Sequence, residues 1–381
     1  MKKIKNLKLQ YRNNQKGEII FNKSIYLKKN IAKIFKPIIK DRKCFFFIDK
    51  NLYQKMDLRL YCKTLKKELN AEIFLLKGGE QAKSLHYFNN YINKVFKSGV
   101  NVNSYIVAIG GGTIIDLAGM ISSIIYRGIN FISIPTTLLA SADAAISCKN
   151  ALNLSGAKNL IGTYALPKKI FIETEYVYSF LENKYFWDGF AEIIKHAIGH
   201  SRRLYNHLVN DNSIYIKKKY INKLKENEKK EFLKDISEIL LMTIQSKTDL
   251  FNEKNNELQP LYHFGHTVGH ALEIATKHKC FHGEAISIGM LVATELSINK
   301  NKLNKKIMKD LLFLIEKFNL PKSINKKIFN QKLFKNAIKK DKRYFDGNNH
   351  FILMDKKFKI SNKLTPIKYD EFYHILRKYI M

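Results

Sequence analysis

The stretch SYIVAIGGGTIIDLAGMISSII, residues 104–125, restricts the fold more than any other part of the sequence. An unbroken apolar run of strand length leads into Gly110, Gly111 and Gly112, and an apolar segment of helical length follows at once. A strand without polar alternation, joined directly to a helix, belongs in a mostly parallel sheet covered by helices. The three glycines let the backbone come close to a ligand. The first turn of the next helix offers free N–H groups and the positive end of its dipole to a phosphate. The GxGxxG spacing of the standard dinucleotide fingerprint is absent, so this is not a standard Rossmann turn.

The surrounding segments fit the same architecture. IIFN and IYL near residues 19–27, CFFFID at 44–49 and EIFLL at 72–76 predict strands, and the lysine-rich pieces between the later ones predict helices. FISIPTT at 131–137 predicts a strand ending in the hydroxyls of Thr136 and Thr137, followed over 138–164 by an extended polar loop region. KIFIET, ending at residue 174, is the last strand of this half. Beyond it nearly every segment is an amphipathic helix, with a weak strand at HFILM, 350–354. The expectation is an α/β nucleotide-binding domain over 1–175 and an all-α or mainly helical domain over 176–381, with ligands in the cleft between the halves.

A chain of 381 residues with 45% hydrophobic content can bury two cores. Cys44, Cys62, Cys148 and Cys280 lie far apart with no CxxC, which suits reduced thiols better than a disulfide framework. The basic N-terminus lacks the apolar core of a signal peptide, and no run reaches the roughly 18 apolar residues that a membrane span needs, so the cytoplasm is expected. A net charge of +34 invites a nucleic-acid reading. The lysines, however, are spread over the N-terminal arm, 216–235 and 299–343, mixed with Asn, Glu and Ile. They read as solvated helix faces that attract anionic sugar phosphates, with no specific nucleic-acid partner.

Chemistry concentrates in LYHFGHTVGHALEIATKHKCFHGEA, residues 261–285. His266 and His270, at i and i+4, share one helical face, and His282 follows after a short basic connection. Such a pair also occurs on surfaces and in satisfied cores, but Gly265, Gly269 and Gly283 beside the histidines suggest close backbone approach. Upstream, Glu192 and Lys195 lie three apart on the apolar helix FAEIIKH. A carboxylate there needs a cation, which an ordinary Glu–Lys pair would also supply. With His266 and His282, Glu192 completes a one-Glu, two-His set of the kind that holds a catalytic zinc. Lys195 and His270 then stand beside the metal or the substrate.

GGEQAKS at 78–84, GGGTIIDLAG at 110–119, YRG at 126–128, PTTLLASADA at 135–144, Lys149 with KNLIG at 158–162, AEIIK at 191–195, FGHTVGHALE at 264–273 and HGEAISIGM at 282–290 occur in the order seen in 3-dehydroquinate synthases. Over about residues 40–345 the chain thus resembles the sugar phosphate cyclases. The resemblance implies NAD held by Asp49, Glu80, Lys83, the three glycines, Asp116, Thr136 and Thr137. It implies zinc, or cobalt or another divalent metal, on Glu192, His266 and His282. Arg127, Asn159, His270 and Lys342, with Arg343 as the rival of Lys342, would cradle the phosphate. Asp143, Lys149, Lys158, Lys195, Lys247 and His270 would hold hydroxyls and move protons. The implied reaction oxidises a hydroxyl, eliminates phosphate, returns the hydride and closes the ring by an intramolecular aldol step, in a homodimer.

Two positions depart from the synthase pattern. Gln259 and His263 stand where that pattern has an arginine, which helps hold a substrate carboxylate, and an asparagine. A glutamine offers no charged bidentate fork. The usual G-G-K-T is also altered, to Ser147, Cys148, Lys149 and Asn150. These departures point to a substrate without a carboxylate, as in 2-deoxy-scyllo-inosose synthases, with 3-dehydroquinate synthase as the alternative. A metal-dependent NAD alcohol or glycerol dehydrogenase has no need of a phosphate cradle, and a non-catalytic basic binding protein has no need of the metal set.

Overall fold

In the computed structural model every residue of Tyr105–Gly110 is buried inside a seven-stranded sheet. The structure describes residues 5–11, 15–22, 27–154, 157–210, 224–252, 262–357 and 359–381. The chain divides into two units, Met1–Leu181 and Glu182–Met381.

The first unit contains β1 (Lys5–Tyr11), β2 (Gln15–Asn22), β3 (Cys44–Asp49), β4 (Ala71–Leu76), β5 (Tyr105–Gly110), β6 (Asn130–Pro135), the hairpin β7 (Lys149–Leu154) and β8 (Ala157–Tyr164), and β9 (Lys169–Glu173). Its helices are α1 (Leu27–Ile39), α2 (Lys50–Lys55), α3 (Arg59–Glu68), α4 (Leu85–Lys97), α5 (Gly112–Ile124), α6 (Leu138–Ala142) and α7 (Thr174–Tyr178). The sheet order is β1-β2-β9-β6-β5-β3-β4, and all neighbours run parallel except β1 and β2. Alternate residues on one face, Phe46 and Ile48, Val107 and Ile109, Ile132 and Ile134, stand in register and pack with Phe35, Ile39, Tyr61 and Leu65 of α1 and α3. That apolar layer makes the sheet rigid, and the order of its strands places the ligand-binding end. After β3 the chain adds β4 on one side, and after β4 it crosses to β5 on the other. The carboxyl ends of β3 and β5, Asp49 and Gly110, therefore flank a topological switch point, where doubly wound sheets bind their ligands.

The region 138–164, expected as a loop, instead forms α6 and the β7–β8 hairpin, apart from Ser155 and Gly156, which lie outside the described residues. Alternation is present in β7, where Asn150 and Leu152 are buried. One of the two inward residues is polar, which hid the period of two. Asn150 pays its way by donating to the carbonyl of Ala165 at 3.3 Å. Of the IYL run, Leu27 begins α1 and the other two residues lie outside the described ones.

The second unit comprises α8 (Lys184–Asp188), α9 (Phe190–Gly199), α10 (Arg202–Asn210), α11 (Glu226–Asn252), α12 (His266–Ala275), α13 (His282–Asn301), α14 (Lys306–Lys317), α15 (Gln331–Lys339) and α16 (Tyr369–Arg377). The half expected to be all-α also carries an antiparallel sheet, β10 (Tyr344–Phe345), β11 (Asn348–Met354) and β12 (Ile360–Ile367). The strand at 350–354 is part of β11. Its partner reads ISNKLTPI, too polar and too weakly alternating to announce a strand.

Helices α12 and α13 cross where glycines let their backbones meet. Gly265 takes φ +78°, a left-handed conformation that favours glycine, and a Cβ there would lie 2.7 Å from the amide nitrogen of Met290. A Cβ on Gly289 would collide with the carbonyl oxygen of Gly265, which as backbone has little room to yield. Among the described residues no helix is long and apolar enough to cross a membrane, and all four cysteines are buried and form no disulfide. Gly289→Ala should destabilise the protein by about 1–3 kcal/mol, the usual cost of overpacking. Thermal unfolding should show a midpoint several degrees below wild type, and an unchanged midpoint would mean that the helices separate at no cost.

Candidate functional site

Glu192 lies in the first turn of α9, a helix buried along its whole length. His266 and His282 open α12 and α13, and the glycine crossing brings these two helix starts together. Asp188, at the end of α8, accepts a hydrogen bond from the amide of Glu284 at 3.1 Å and so fixes the start of α13. Oε1 of Glu192 lies 3.3 Å from Nε2 of His266 and 3.6 Å from Nε2 of His282. Two donors at about 2.0–2.1 Å from one tetrahedral ion stand roughly 3.3 Å apart, so this spacing fits a divalent cation.

The groups behind the donors aim them. Nδ1 of His266 donates to the carbonyl of Phe264 at 3.0 Å, and Nδ1 of His282 lies 3.3 Å from a carboxylate oxygen of Glu273. Each imidazole thereby turns Nε2 towards Glu192. The ammonium of Lys195 pairs with Oε2 of Glu192 and donates to the carbonyl of Tyr262 at 2.7 Å. Oε1 is left buried without a well-formed hydrogen bond, an orphaned anion oxygen that a cation would satisfy. His270, Glu273 and His282 form a second donor group within reach of one another. There Glu273 already serves Nδ1 of His282, so the group containing Glu192 is the better metal site.

Electrostatics follow this layout. Burial works against the Glu192 carboxylate, yet Lys195 and the two imidazoles hold it well below the usual range. Burial, then Lys195, pushes His266 down to about 4. Burial opposes the charged form of His282 too, but Glu273 and Glu192 raise it to about 10. His270 packs against both, with ring centroids 5.2 Å from His266 and 5.9 Å from His282. Burial, His266 and, more weakly, Arg343 keep it neutral. The buried Arg343 makes paired bonds of 3.0 Å each to Asp341, and its Nη1 has no partner. Lys342 beside it is exposed. Lys247 is buried on α11, 5.5 Å from the ring centroid of Tyr262. His263 is half-buried, its ring 5.7 Å from that of His266. Gln259 lies outside the described residues.

In the first unit Asp49 caps α2, accepting from the amides of Asn51 at 2.7 Å and Leu52 at 3.2 Å, and burial raises its carboxyl. The 3₁₀ turn Glu80–Lys83 joins a network of charges. Lys83 reaches Asp116 and the side-chain oxygen of Asn159, each at 2.5 Å, and Lys158 lies 3.3 Å from Glu80. Burial pushes Glu80 up, but Lys158 and Lys83 more than offset it and its carboxyl is lowered. Asp116 goes the other way, raised by burial in spite of Lys83. The buried Thr136 donates its amide to the carbonyl of Gly110 at 3.0 Å, and Thr137 caps α6 through the amide of Ala140 at 3.1 Å. Asp143 and Lys149 are half-buried at the end of α6 and the start of β7. Arg127 is exposed with φ +66°, and its guanidinium makes no ion pair among the described residues. Sequence reasoning missed Glu273, whose carboxylate stands 3.3 Å from Nδ1 of His282. A lone carboxylate among the apolar residues of α12, three positions after His270, is a signal that could have found Glu273.

Family models described as 3-dehydroquinate synthase N-terminal and C-terminal match residues 73–186 and 189–344. The 3-dehydroquinate synthase of Thermoanaerobacter pseudethanolicus is 30% identical over 348 residues, 91% of this chain and 93% of that relative. A crystal structure of 2-deoxy-scyllo-inosose synthase complexed with carbaglucose-6-phosphate, NAD+ and Co2+ superposes with a TM-score of 0.79 at 22% identity, covering 99% of this chain and 100% of that one. The 2-epi-5-epi-valiolone synthase of Streptomyces hygroscopicus subsp. jinggangensis, with NAD+ and Zn2+ bound, gives 0.73 at 20% identity, covering 95% and 97%.

At neutral pH His282 holds a proton that an incoming cation must displace, whereas His266 is already neutral. Zinc titration in weakly buffered indicator dye should release close to one proton per ion at pH 7, and affinity should tighten about tenfold per pH unit from pH 7 to 9. Glu273→Gln should reduce that release and, at pH 9, weaken zinc binding about 10- to 100-fold. Unchanged affinity in the variant would remove Glu273 from the site.

Proposed function

The chain belongs to the 3-dehydroquinate synthase family, and from that premise we propose that it is an NAD- and zinc-dependent sugar phosphate cyclase whose substrate lacks a carboxylate. The observation that carries the cyclase reading is a cation site and an anion site side by side in the second unit. His270 touches both metal-site imidazoles and lies in the field of Arg343, whose buried Nη1 has no partner. A dehydrogenase of plain alcohols needs only the first of these. When bound, the cation would polarise a substrate hydroxyl, and NAD would accept the hydride from the carbon that bears it.

The chain's own residues then do the following. Lys195 holds Glu192 in its ionised, ligating form. Neutral His270 donates a hydrogen bond to the phosphate, and Arg343 stabilises the charge that grows as the phosphate departs. Arg343 takes this role in preference to Lys342, because its Nη1 is buried without a partner while the Lys342 side chain is exposed. In the first unit Asp49 and the Gly110–Gly112 turn, flanking the switch point, hold the dinucleotide together with Glu80, Lys83, Asp116, Thr136 and Thr137. Asn159, on the hairpin, faces the phosphate of the substrate together with Arg127. Asp143, Lys149, Lys158 and Lys247 hold hydroxyls. A homodimer and a cytoplasmic location complete the reading.

The substrate preference rests on Gln259 and His263, neither of which supplies a guanidinium for a carboxylate. A second reading, 3-dehydroquinate synthase itself, is favoured by the full-length relative of that name at 30% identity. Phosphate release with zinc and catalytic NAD decides between them. Glucose 6-phosphate or sedoheptulose 7-phosphate should be consumed, and turnover of 3-deoxy-arabino-heptulosonate 7-phosphate alone would make the second reading correct. Arg343→Met should raise the KM for the sugar phosphate about 10- to 100-fold, the worth of a charge-assisted hydrogen bond. Lys342→Met should change it less than threefold, and the reverse ranking would return the phosphate to Lys342.

A further inference from the structure

One side chain of the β7–β8 hairpin bonds in two directions and has no role in the reading above. Nδ2 of Asn153 donates to Oε2 of Glu80 at 2.6 Å, while its Oδ1 accepts from the amide of Asn159 at 3.0 Å. Its backbone also bridges Ser84, the residue directly after the turn Glu80–Lys83. Asn159 needs such a hold, because it sits at φ +57°, a left-handed conformation that costs a non-glycine residue free energy. From the other side its Oδ1 accepts from Lys83, whose ammonium is shared with Asp116. Glu80 has both oxygens engaged, one by Lys158 and one by Asn153. Turn, Lys83, Asn159, Asn153 and Glu80 thus close a ring of polar contacts.

We propose that Asn153 is a positioning residue that couples nucleotide binding to sugar phosphate binding. The inference rests on the roles proposed above for Glu80, Lys83 and Asp116 towards NAD and for Lys158 and Asn159 towards the sugar phosphate. A dinucleotide that engages the Glu80–Lys83 turn fixes a carboxylate and an ammonium. Through Asn153 and Asn159 the same contacts fix the left-handed backbone and the lysine that face the second ligand. Whichever ligand arrives first then holds the ring in the geometry that the other needs, and the other binds more tightly. The amide is suited to this place because it offers a donor to Glu80 and an acceptor to the Asn159 N–H together. Asp in its position would keep the acceptor and repel Glu80, and Leu would keep neither contact.

The test uses the full-length zinc-loaded protein and inorganic phosphate as a probe that cannot turn over. NAD is titrated calorimetrically at several fixed phosphate concentrations. In wild type, phosphate should tighten NAD binding about 5- to 10-fold, within the usual range of coupling between sites. In Asn153→Leu and Asn153→Asp that factor should fall towards 1, whatever the change in NAD affinity without phosphate. With glucose 6-phosphate or sedoheptulose 7-phosphate, whichever turns over, at saturating NAD, Asn153→Asp should raise KM more than it lowers kcat, a split that a general loss of stability would not give. Thermal unfolding reports whether each variant is folded, and the milder Asp variant carries the test if the Leu variant is not. A wild-type factor retained in a folded variant, or no coupling in a wild type that binds both ligands, overturns the role of Asn153. A wild type that binds neither NAD nor phosphate overturns the functional reading itself, and the coupling with it.

Discussion

The carboxylate of Glu192 is the charge on which the second unit depends. Fully buried, it costs several kcal/mol to desolvate and is tolerable only with partners in place. Lys195, one turn along the same helix, supplies the covalently fixed partner, and the two imidazoles supply the adjustable ones. This explains why α9 is apolar around a Glu and a Lys: the surrounding burial strengthens their attraction by lowering the local dielectric. The histidines can reach that carboxylate only because α12 and α13 approach at backbone distance, which side chains at Gly265 or Gly289 would prevent. Packing and electrostatics are one constraint here, since the glycines set the donor spacing that the charge requires.

The first unit obeys a different logic. Its sheet is apolar through its centre, and its polar chemistry gathers past the carboxyl ends of β3, β5 and β6 and in the turns, helix starts and hairpin that follow. Parallel strands buried on both faces cannot carry functional polar groups along their length, so recognition moves to the loops. The ring through Glu80, Asn153, Asn159 and Lys83 gives those loops the order that a sheet interior gets from side-chain packing.

What the sequence revealed and what it hid divide along physical lines. The candidate metal ligands stood out because a Glu and a His pair in apolar helices violate the ordinary burial pattern, and glycines beside them add a packing reason. The strand–glycine–helix unit was legible from one unbroken apolar run. The β7–β8 hairpin was not, because one of its buried positions is Asn150, satisfied by a backbone carbonyl that no periodicity can foresee. The sheet of the second unit was half visible, since β11 is apolar and β12 is not. Adjacent residues such as Lys342 and Arg343 are indistinguishable as letters. Only the paired bonds to Asp341 show which of them turns inward.

The net charge of +34 illustrates the same division between number and place. Exposed charges act over about a Debye length, near 8 Å at physiological salt, and can steer an anionic substrate without specifying it. Among the described residues Lys83, Lys195, Lys247, Lys317 and Arg343 are the buried cations. Lys317 is explained by structure alone, its ammonium donating to the carbonyl of Leu208 at 2.7 Å beside the rings of Phe313 and Phe318. The other four all lie at candidate site positions. Desolvating an ammonium or guanidinium is costly unless an anion compensates it, and three of the four have a fixed one: Lys83 has Asp116, Lys195 has Glu192 and Arg343 has Asp341. Burial thus ties these cations to set partners, whereas the exposed lysines act through the long-range field that governs how fast an anion arrives.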